Sequence, residues 1–229
     1  MDSTHAILVV DRSAVKQKGF TGAVYKGLAL ATSGSGSFLF ATNFRFGVVE
    51  KFDTQFHLVA SFTDPDLART CPILQSPAQC FAPFGIQSIN DQLYVTFALQ
   101  DAAHHDDVAG AGNGFVDVFD TDGRLIRRFA SEGTLDSPWG LTLAPANFGT
   151  FSNALLVGNF GDGRINAFNA LTGRFLGQLQ SGNANAIAIN GLWGLAFGNG
   201  FSAGNTNTLF FTAGFNDEAN GLFGTIVAE

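Results

Sequence analysis

Charged residues are scarce in this chain of 229 residues: only 14% are Asp, Glu, Lys or Arg, and the formal net charge is −7. The 12 basic residues are scattered, apart from Arg124, Arg127 and Arg128, which we expect on the solvated face of an outer strand. Binding to nucleic acid depends on clustered Lys and Arg that neutralise phosphates. The composition therefore predicts no nucleic-acid partner.

Long apolar stretches are also missing. No run of 18 apolar residues occurs, so the sequence predicts no membrane-spanning helix. Residues 1–5 have neither the positive start nor the apolar core of a signal peptide.

Cysteine is almost absent. Cys71 and Cys80 are the only two, and both lie in one proline-containing insertion. A disulfide between them is expected in an exported protein, whereas a reducing cytoplasm would keep both thiols free. The sequence leaves both states open, and with them the localisation of the protein.

Glycine and phenylalanine are abundant, with 28 and 25 copies. A short apolar phrase around a glycine recurs at Gly27, Gly85, Gly140 and Gly194, at spacings of 58, 55 and 54 residues. Each glycine is followed by a second alternating run, at 38–43, 93–96, 155–159 and 209–212. A third run follows in every repeat, and a fourth follows in the first three repeats. Such a period predicts a repeat architecture, and alternation between turn residues predicts strands.

Four antiparallel strands per repeat predict the blades of an all-β propeller. We expect a single domain with a partial blade at 1–26, blades at 27–82, 83–137 and 138–191, and an incomplete final blade at 192–229. Runs at 6–11 and 22–25 look like the last strands of a preceding blade. Either the N-terminal segment closes a four-bladed ring, or the chain is part of a larger propeller. An open ring would expose apolar blade faces and favour a homodimer that completes it.

Two phrases carry a family resemblance. The runs 83–86 and 138–141 resemble the start of NHL-type propeller repeats, and residues 23–229 closely resemble the TIGR03118 family of uncharacterised bacterial proteins, most clearly at 100–114 and 158–166. The resemblance implies a ring of about six blades, with roughly one and a half to two blades absent here. It also implies longer, often exported relatives, and it assigns no activity to particular residues.

The insertion 101–113 interrupts the repeat and is the strongest chemical candidate. His104 and His105 are candidate catalytic residues because an imidazole can activate water. Carboxylate and amide oxygens are the ligands that Ca²⁺ prefers. The candidate metal ligands are Asp101, Asp106, Asp107, Asn43, Asn159 and Asp217. The alternative is a surface loop whose Asp side chains cap turns.

Phe84, Trp139 and Trp193 share one position in the repeat, so we expect them to meet near the propeller axis. They either pack the blades or form an apolar rim for a ligand. By analogy with propeller lactonases, one hypothesis is a Ca²⁺-dependent hydrolase of lactones or esters at the channel mouth. The other is a binding module without catalysis, for a protein, glycan or cell-envelope partner.

Overall fold

The computed structural model describes residues 5–34, 36–71 and 80–228, and its described part is almost entirely β-structure. A short hairpin precedes four antiparallel sheets, here called blades A to D. The hairpin is β1 (Lys16–Gln17) and β2 (Phe20–Thr21); blade A is β3 (Tyr25–Ser33), β4 (Gly36–Asn43), β5 (Val48–Phe52) and β6 (Leu58–Phe62). Helix α1 (Pro65–Thr70) leads to blade B, which is β7 (Phe81–Ile89), β8 (Gln92–Leu99), β9 (Gly114–Phe119) and β10 (Leu125–Ser131). Blade C is β11 (Pro138–Leu143), β12 (Ala154–Asn159), β13 (Ile165–Asn169) and β14 (Phe175–Gln178), and blade D is β15 (Leu192–Phe197), β16 (Thr208–Phe215) and β17 (Asn220–Val227).

The predicted all-β propeller fold is confirmed. Each blade is a meander in which consecutive strands pair, and the alternating runs read from the sequence coincide with these strands. The N-terminal segment differs from its prediction, because residues 6–12 form no strand and Tyr25 opens the inner strand of blade A. Within the described residues, no helix is long and apolar enough to cross a membrane.

Each blade has two faces. The residue that follows the inner glycine points to the preceding blade, and we call this side the entry face; the glycine itself lies on the opposite side, the exit face. Ile86, Leu141 and Leu195 occupy the entry position of blades B, C and D and are 6%, 4% and 8% exposed. Ile86 packs against Ala29 and Phe40 of blade A. Entry and exit faces of successive blades therefore form the core.

The recurring inner glycines are explained by close backbone approach between blades. A Cβ on Gly27 would lie 2.8 Å from the Phe84 carbonyl oxygen, and one on Gly85 would lie 2.1 Å from that of Trp139. At Gly140 the distance to the Trp193 oxygen would be 2.6 Å. Only glycine leaves room for a neighbouring carbonyl this close. The period seen in the sequence is thus the period of blade-to-blade contact.

The series of contacts stops at both ends of the described chain. A Cβ on Gly194 would meet the Thr212 hydroxyl at 2.9 Å and the Trp139 ring at 3.9 Å, with no carbonyl of a following blade. Leu28, the entry residue of blade A, is 61% exposed. Strands β3 and β15 do not pack against each other as the other successive inner strands do. In this part of the chain, the exit face of blade D meets no following blade, and Leu28 is exposed on the entry face of blade A.

A buried ion network fixes the outer part of blade B. The Arg128 guanidinium bridges the carboxylates of Asp64 and Asp117, which are 1% and 0% exposed. Asp64 also caps α1, accepting hydrogen bonds from the backbone N–H groups of Asp66 and Leu67. Arg128 is therefore only partly solvated, because the carboxyl groups of two buried aspartates hold its guanidinium between them.

Candidate functional site

The candidate site lies at the end of the propeller where the inner strands begin and the second strands end. We call this end the mouth face. It is formed by four loops between second and third strands: 44–47, 100–113, 160–164 and 216–219. Because all four loops follow equivalent strands, side chains that are distant in the sequence meet here.

Five aromatic rings fill the axis beneath these loops. They are Phe44, Phe84, Trp139, Phe160 and Trp193, one or two from each blade. Trp193 is central, with ring centroids 4.4 Å from Phe160, 5.2 Å from Trp139 and 5.7 Å from Phe84. The structure thus brings together Phe84, Trp139 and Trp193 as their shared repeat position predicts. Whether they bind a ligand stays a prediction.

The polar edges of the two indoles are both engaged. Nε1 of Trp139 donates to the Lys26 carbonyl oxygen at 2.9 Å, which links blade C to blade A across the axis. Nε1 of Trp193 donates to Oε1 of Glu218 at 2.8 Å. Phe84 is fully buried, whereas the two tryptophans and Phe160 are partly exposed. The mouth therefore presents aromatic surface to solvent on the side of blades C and D.

Phe44 and Phe160 are members of this cluster that the sequence interpretation missed. Each directly follows an asparagine that ends a second strand, in Asn43-Phe44 and Asn159-Phe160. This repeated Asn-Phe dipeptide could have identified both residues from the sequence. Its second residue turns inward because the loop begins there and carries the ring over the axis.

The candidate ligands Asn43 and Asn159 are fully buried and hold the mouth loops in place. Nδ2 of Asn43 donates to Oε1 of Glu50 at 3.1 Å. Nδ2 of Asn159 donates to the Thr134 carbonyl oxygen at 2.8 Å and to Oδ1 of Asp162 at 2.9 Å. Both amides act as loop anchors in this structure.

Glu50 is a buried carboxylate that sequence reasoning did not single out. It accepts a hydrogen bond from the Tyr25 hydroxyl, and its Oε2 lies 3.2 Å from Nε of Arg12. Burial, followed by the hydrogen bond to Glu50, raises the pKa of Tyr25. The negative charge of Glu50 therefore ties the N-terminal segment to blade A.

The two candidate catalytic histidines point to different surroundings. The His104 ring stacks on Phe20 with centroids 4.3 Å apart, and its Nδ1 lies 3.4 Å from the Arg45 carbonyl oxygen. Burial lowers the pKa of His104. His105 is exposed, and its Nδ1 lies 2.9 Å from Oδ2 of Asp106. No shared catalytic pair of histidines is formed.

The acidic residues of the insertion each have a local partner. Asp101 accepts a hydrogen bond at 2.7 Å from the backbone N–H of His105, which closes a turn. Oδ1 of Asp106 accepts from Nζ of Lys26 at 2.9 Å, and this bond lowers the pKa of Asp106. Asp107 is partly buried, and burial raises its pKa. These contacts correspond to the alternative of a loop whose carboxylates cap turns and pair with neighbours.

Asp217 lies in the mouth loop of blade D, whereas the insertion is the mouth loop of blade B. It sits in a turn with Asn216 and Glu218, and all three residues have positive φ angles, of 54°, 51° and 60° in chain order. Among the described residues, no group of three or more His, Cys, Asp or Glu side chains is arranged to hold a metal ion. The carboxylates among the candidate ligands form no such group, and Ca²⁺ binding stays an untested prediction.

The Cys71 and Cys80 pair lies beside the start of blade B. In the structure the two cysteines form a disulfide. Cys80 accepts a hydrogen bond at its carbonyl oxygen from the backbone N–H of Gln100, at 2.8 Å. The prolines of the insertion fall within 72–79, outside the described residues. The disulfide thus joins the end of α1 to the start of β7, at the mouth face.

Comparison with known proteins gives relatives without an assigned activity. No family model matches the chain. It resembles uncharacterised viral proteins. Two proteins of Acanthamoeba polyphaga mimivirus are 34% identical over 90% of this chain and 33% identical over 97% of it, and the matches cover 48% and 38% of those proteins. The chain thus spans about half or less of the length of these relatives. The TIGR03118 resemblance is not confirmed, and these relatives are viral rather than bacterial.

Solved structures agree on the fold. The chain matches a chain of a nidogen–laminin complex with a TM-score of 0.52 and 18% identity, over 88% of this chain and 59% of the other. It matches the Dos1 propeller with a TM-score of 0.50 and 11% identity, over 84% of this chain and 43% of the other. At these identities the likeness establishes the β-propeller fold and nothing finer.

Proposed function

We propose that this chain is a binding module without catalysis, which holds a protein partner on its mouth face. The observation that carries the proposal is the environment of Trp193: a partly exposed indole that is fixed by Glu218 and flanked by Phe160. Aromatic side chains that are held rigid and partly exposed are the usual centres of protein interfaces.

Charge indicates the chemistry of the partner. Asp217 and Glu218 are exposed and have no basic partner among the described residues, and the whole chain carries a net charge of −7. An Arg or Lys side chain placed over Trp193 would gain both a cation–π contact and the attraction of these carboxylates. This favours a basic, partly apolar protein segment over a neutral sugar.

The candidate catalytic groups support the same conclusion through their geometry. His104 packs on Phe20, His105 pairs with Asp106, and the aromatic rings occupy the axis where a lactone would have to bind. Hydrolysis of a lactone needs a base and a charge-stabilising group that face one reacting carbon. His104 and His105 have different surroundings in the structure, so they do not face one reacting carbon together.

The experiment selects binders from a displayed library of short random peptides and measures their affinity by the fluorescence of Trp139 and Trp193. We expect enrichment of Arg and Lys next to apolar residues, and a loss of affinity of tenfold or more in Trp193→Ala and Glu218→Gln. Phe201→Ala is the matched control, because Phe201 is 91% exposed and lies in a loop away from the mouth. Selected peptides that bind Trp193→Ala as tightly as the wild type would refute the proposal.

The hydrolase hypothesis is tested on the same protein. Turnover of an acyl lactone is measured with Ca²⁺ or with EDTA, in the wild type and in the double variant His104→Ala, His105→Ala. Our proposal predicts background turnover in all four samples and no rise in melting temperature on addition of Ca²⁺. Turnover that requires Ca²⁺ and is lost in the double variant would establish the hydrolase instead.

A further inference from the structure

The disulfide between Cys71 and Cys80 lies at the mouth end of blade B, where it holds the last pair of the β7–β8 ladder. Within the ladder, Phe81 pairs with Leu99. One residue further toward the mouth, the carbonyl oxygen of Cys80 accepts a hydrogen bond from the backbone N–H of Gln100 at 2.8 Å. Pairs at the end of a ladder open more easily than pairs inside it. The disulfide therefore fastens a pair that would otherwise open easily.

The other half of the disulfide is attached to a fixed element. Cys71 directly follows α1, and Asp64 at the start of α1 is held by Arg128. Leu67 in this helix is 6% exposed and packs in the core shared by blades A and B. Cys71 thus has a defined position, and the disulfide extends this restraint to Cys80.

Gln100 connects the disulfide to the aromatic cluster of the mouth. Its side chain is buried, and Nε2 donates to the carbonyl oxygen of Phe44 in blade A at 2.6 Å. The Phe44 ring packs on Phe84 with centroids 5.3 Å apart, and Phe84 packs on Trp193 at 5.7 Å. Gln100 also forms a β-bridge with Asp107, which closes the base of the insertion in blade B. One buried residue therefore links the disulfide to two mouth loops and to the ring beside Trp193.

We propose that this disulfide is a redox switch of the mouth face: it holds Gln100 and Phe44 in place when it is oxidised, and its reduction releases them and weakens partner binding. The effect on binding rests on the proposed function of the mouth, whereas the release of the two residues does not. Cys71 is partly exposed and Cys80 is 2% exposed, so a dithiol reductant attacks at Sγ of Cys71.

The reduction transfers two electrons from the dithiol to the disulfide. A thiolate of the reductant forms a bond to Sγ of Cys71, the bond between the two Sγ atoms breaks, and Cys80 leaves as a thiolate that takes up a proton. The second thiol of the reductant loses its proton and displaces Sγ of Cys71, which leaves as a thiolate and is protonated in turn. The reductant ends as a cyclic disulfide, and the protein carries two thiols.

Hydrogen exchange of the backbone amides, measured without any ligand, tests the release directly. The samples are the oxidised protein, the protein reduced with dithiothreitol, and the double variant Cys71→Ser, Cys80→Ser. We expect reduction to speed exchange by about tenfold or more at Gln100 and in the loops 44–47 and 101–107, and to leave the loop 216–219 unchanged. The double variant should exchange like the reduced protein and should not respond to the reductant. Equal exchange in both redox states, or faster exchange throughout the chain, overturns the proposal.

Gln100→Met separates the contact to Phe44 from the presence of the disulfide. Methionine has a similar length but no N–H donor in its side chain, so the bond to Phe44 is lost while both cysteines remain. In the oxidised variant we expect faster exchange in the loop 44–47, and reduction should then add little in this loop. Far-UV circular dichroism confirms that the variants are folded. A loop 44–47 that responds to reduction as strongly in Gln100→Met as in the wild type overturns the role of Gln100.

The affinity of a peptide selected on the mouth face tests the control of binding. Reduction should weaken binding to the wild type by about fivefold or more, and binding to Gln100→Met by less than about twofold. A peptide that binds both redox states of the wild type equally overturns the proposal. If no peptide binds the wild type, the proposed function fails, and the exchange data alone decide whether the disulfide controls the mouth loops.

Discussion

Replacing Gly85 by alanine tests how the blades are held together. A Cβ at this position would lie 2.1 Å from the Trp139 carbonyl oxygen, and real Cβ atoms essentially never come closer than 3.0 Å to another atom. The φ angle of Gly85 is outside the left-handed region, so alanine adds a steric conflict without backbone strain. The blades must therefore separate by about 0.9 Å or the strand must bend.

The expected loss of stability in Gly85→Ala depends on how far the Trp139 carbonyl group can move. Overpacking a core costs about 1–3 kcal/mol, and a backbone carbonyl yields less readily than a side chain. We expect a loss near 3 kcal/mol, which for a domain of this size lowers the melting temperature by roughly 6–12 °C. Gly140→Ala and Gly27→Ala, with oxygen distances of 2.6 Å and 2.8 Å, should lose progressively less.

The matched control is Gly194→Ala, whose Cβ would meet only the exposed Thr212 hydroxyl closely. We expect a change within about 0.5 kcal/mol. Thermal unfolding of all variants is followed by circular dichroism at one protein concentration. An equal loss in Gly194→Ala and Gly85→Ala, or no loss in Gly85→Ala, would refute the explanation of the repeated glycine by contact between blades.

Two further predictions concern buried charge and the disulfide. Burial raises the pKa of Asp117 from 3.8 to about 8, against the opposing effect of Arg128, so folding favours the protonated form. The stabilisation from protonated Asp117 is complete at low pH and is lost as the pH rises through about 8. The free energy of unfolding in urea should show this fall in the wild type and not in Asp117→Asn. A variant with the same pH profile as the wild type would contradict this explanation. Reduction of the disulfide between Cys71 and Cys80, which closes a loop with a sequence separation of 9, should lower the stability by about 2–3 kcal/mol. The double variant Cys71→Ser, Cys80→Ser should match the reduced wild type, and a wild type insensitive to reductant would count against this.

The strands and the repeat could be predicted from the sequence because they depend on local alternation and on a glycine whose role is the same in each blade. The register of Phe84, Trp139 and Trp193 followed from the same repeat, and the structure brings these rings together. These features are periodic, and a period can be recognised in the amino-acid sequence alone.

The partners of polar side chains could not be predicted in this way. Arg128 was expected on the solvated face because it lies on an outer strand, but Asp64 reaches it from a different part of the chain. His104 and His105 are adjacent in sequence, yet the His104 ring packs on Phe20 and the His105 ring lies beside Asp106. The direction of a side chain in an irregular loop depends on contacts with other elements, so the local sequence does not predict it.

The central claim is that the mouth face around Trp193 binds a protein segment. Hydrogen exchange of the backbone amides, measured with and without a peptide selected from the displayed library, locates the bound surface directly. We expect protection in the loops 160–164 and 216–219, beside Trp193 and Glu218. Protection confined to the outer strands β6, β10 and β14, with no change in these loops, would contradict it.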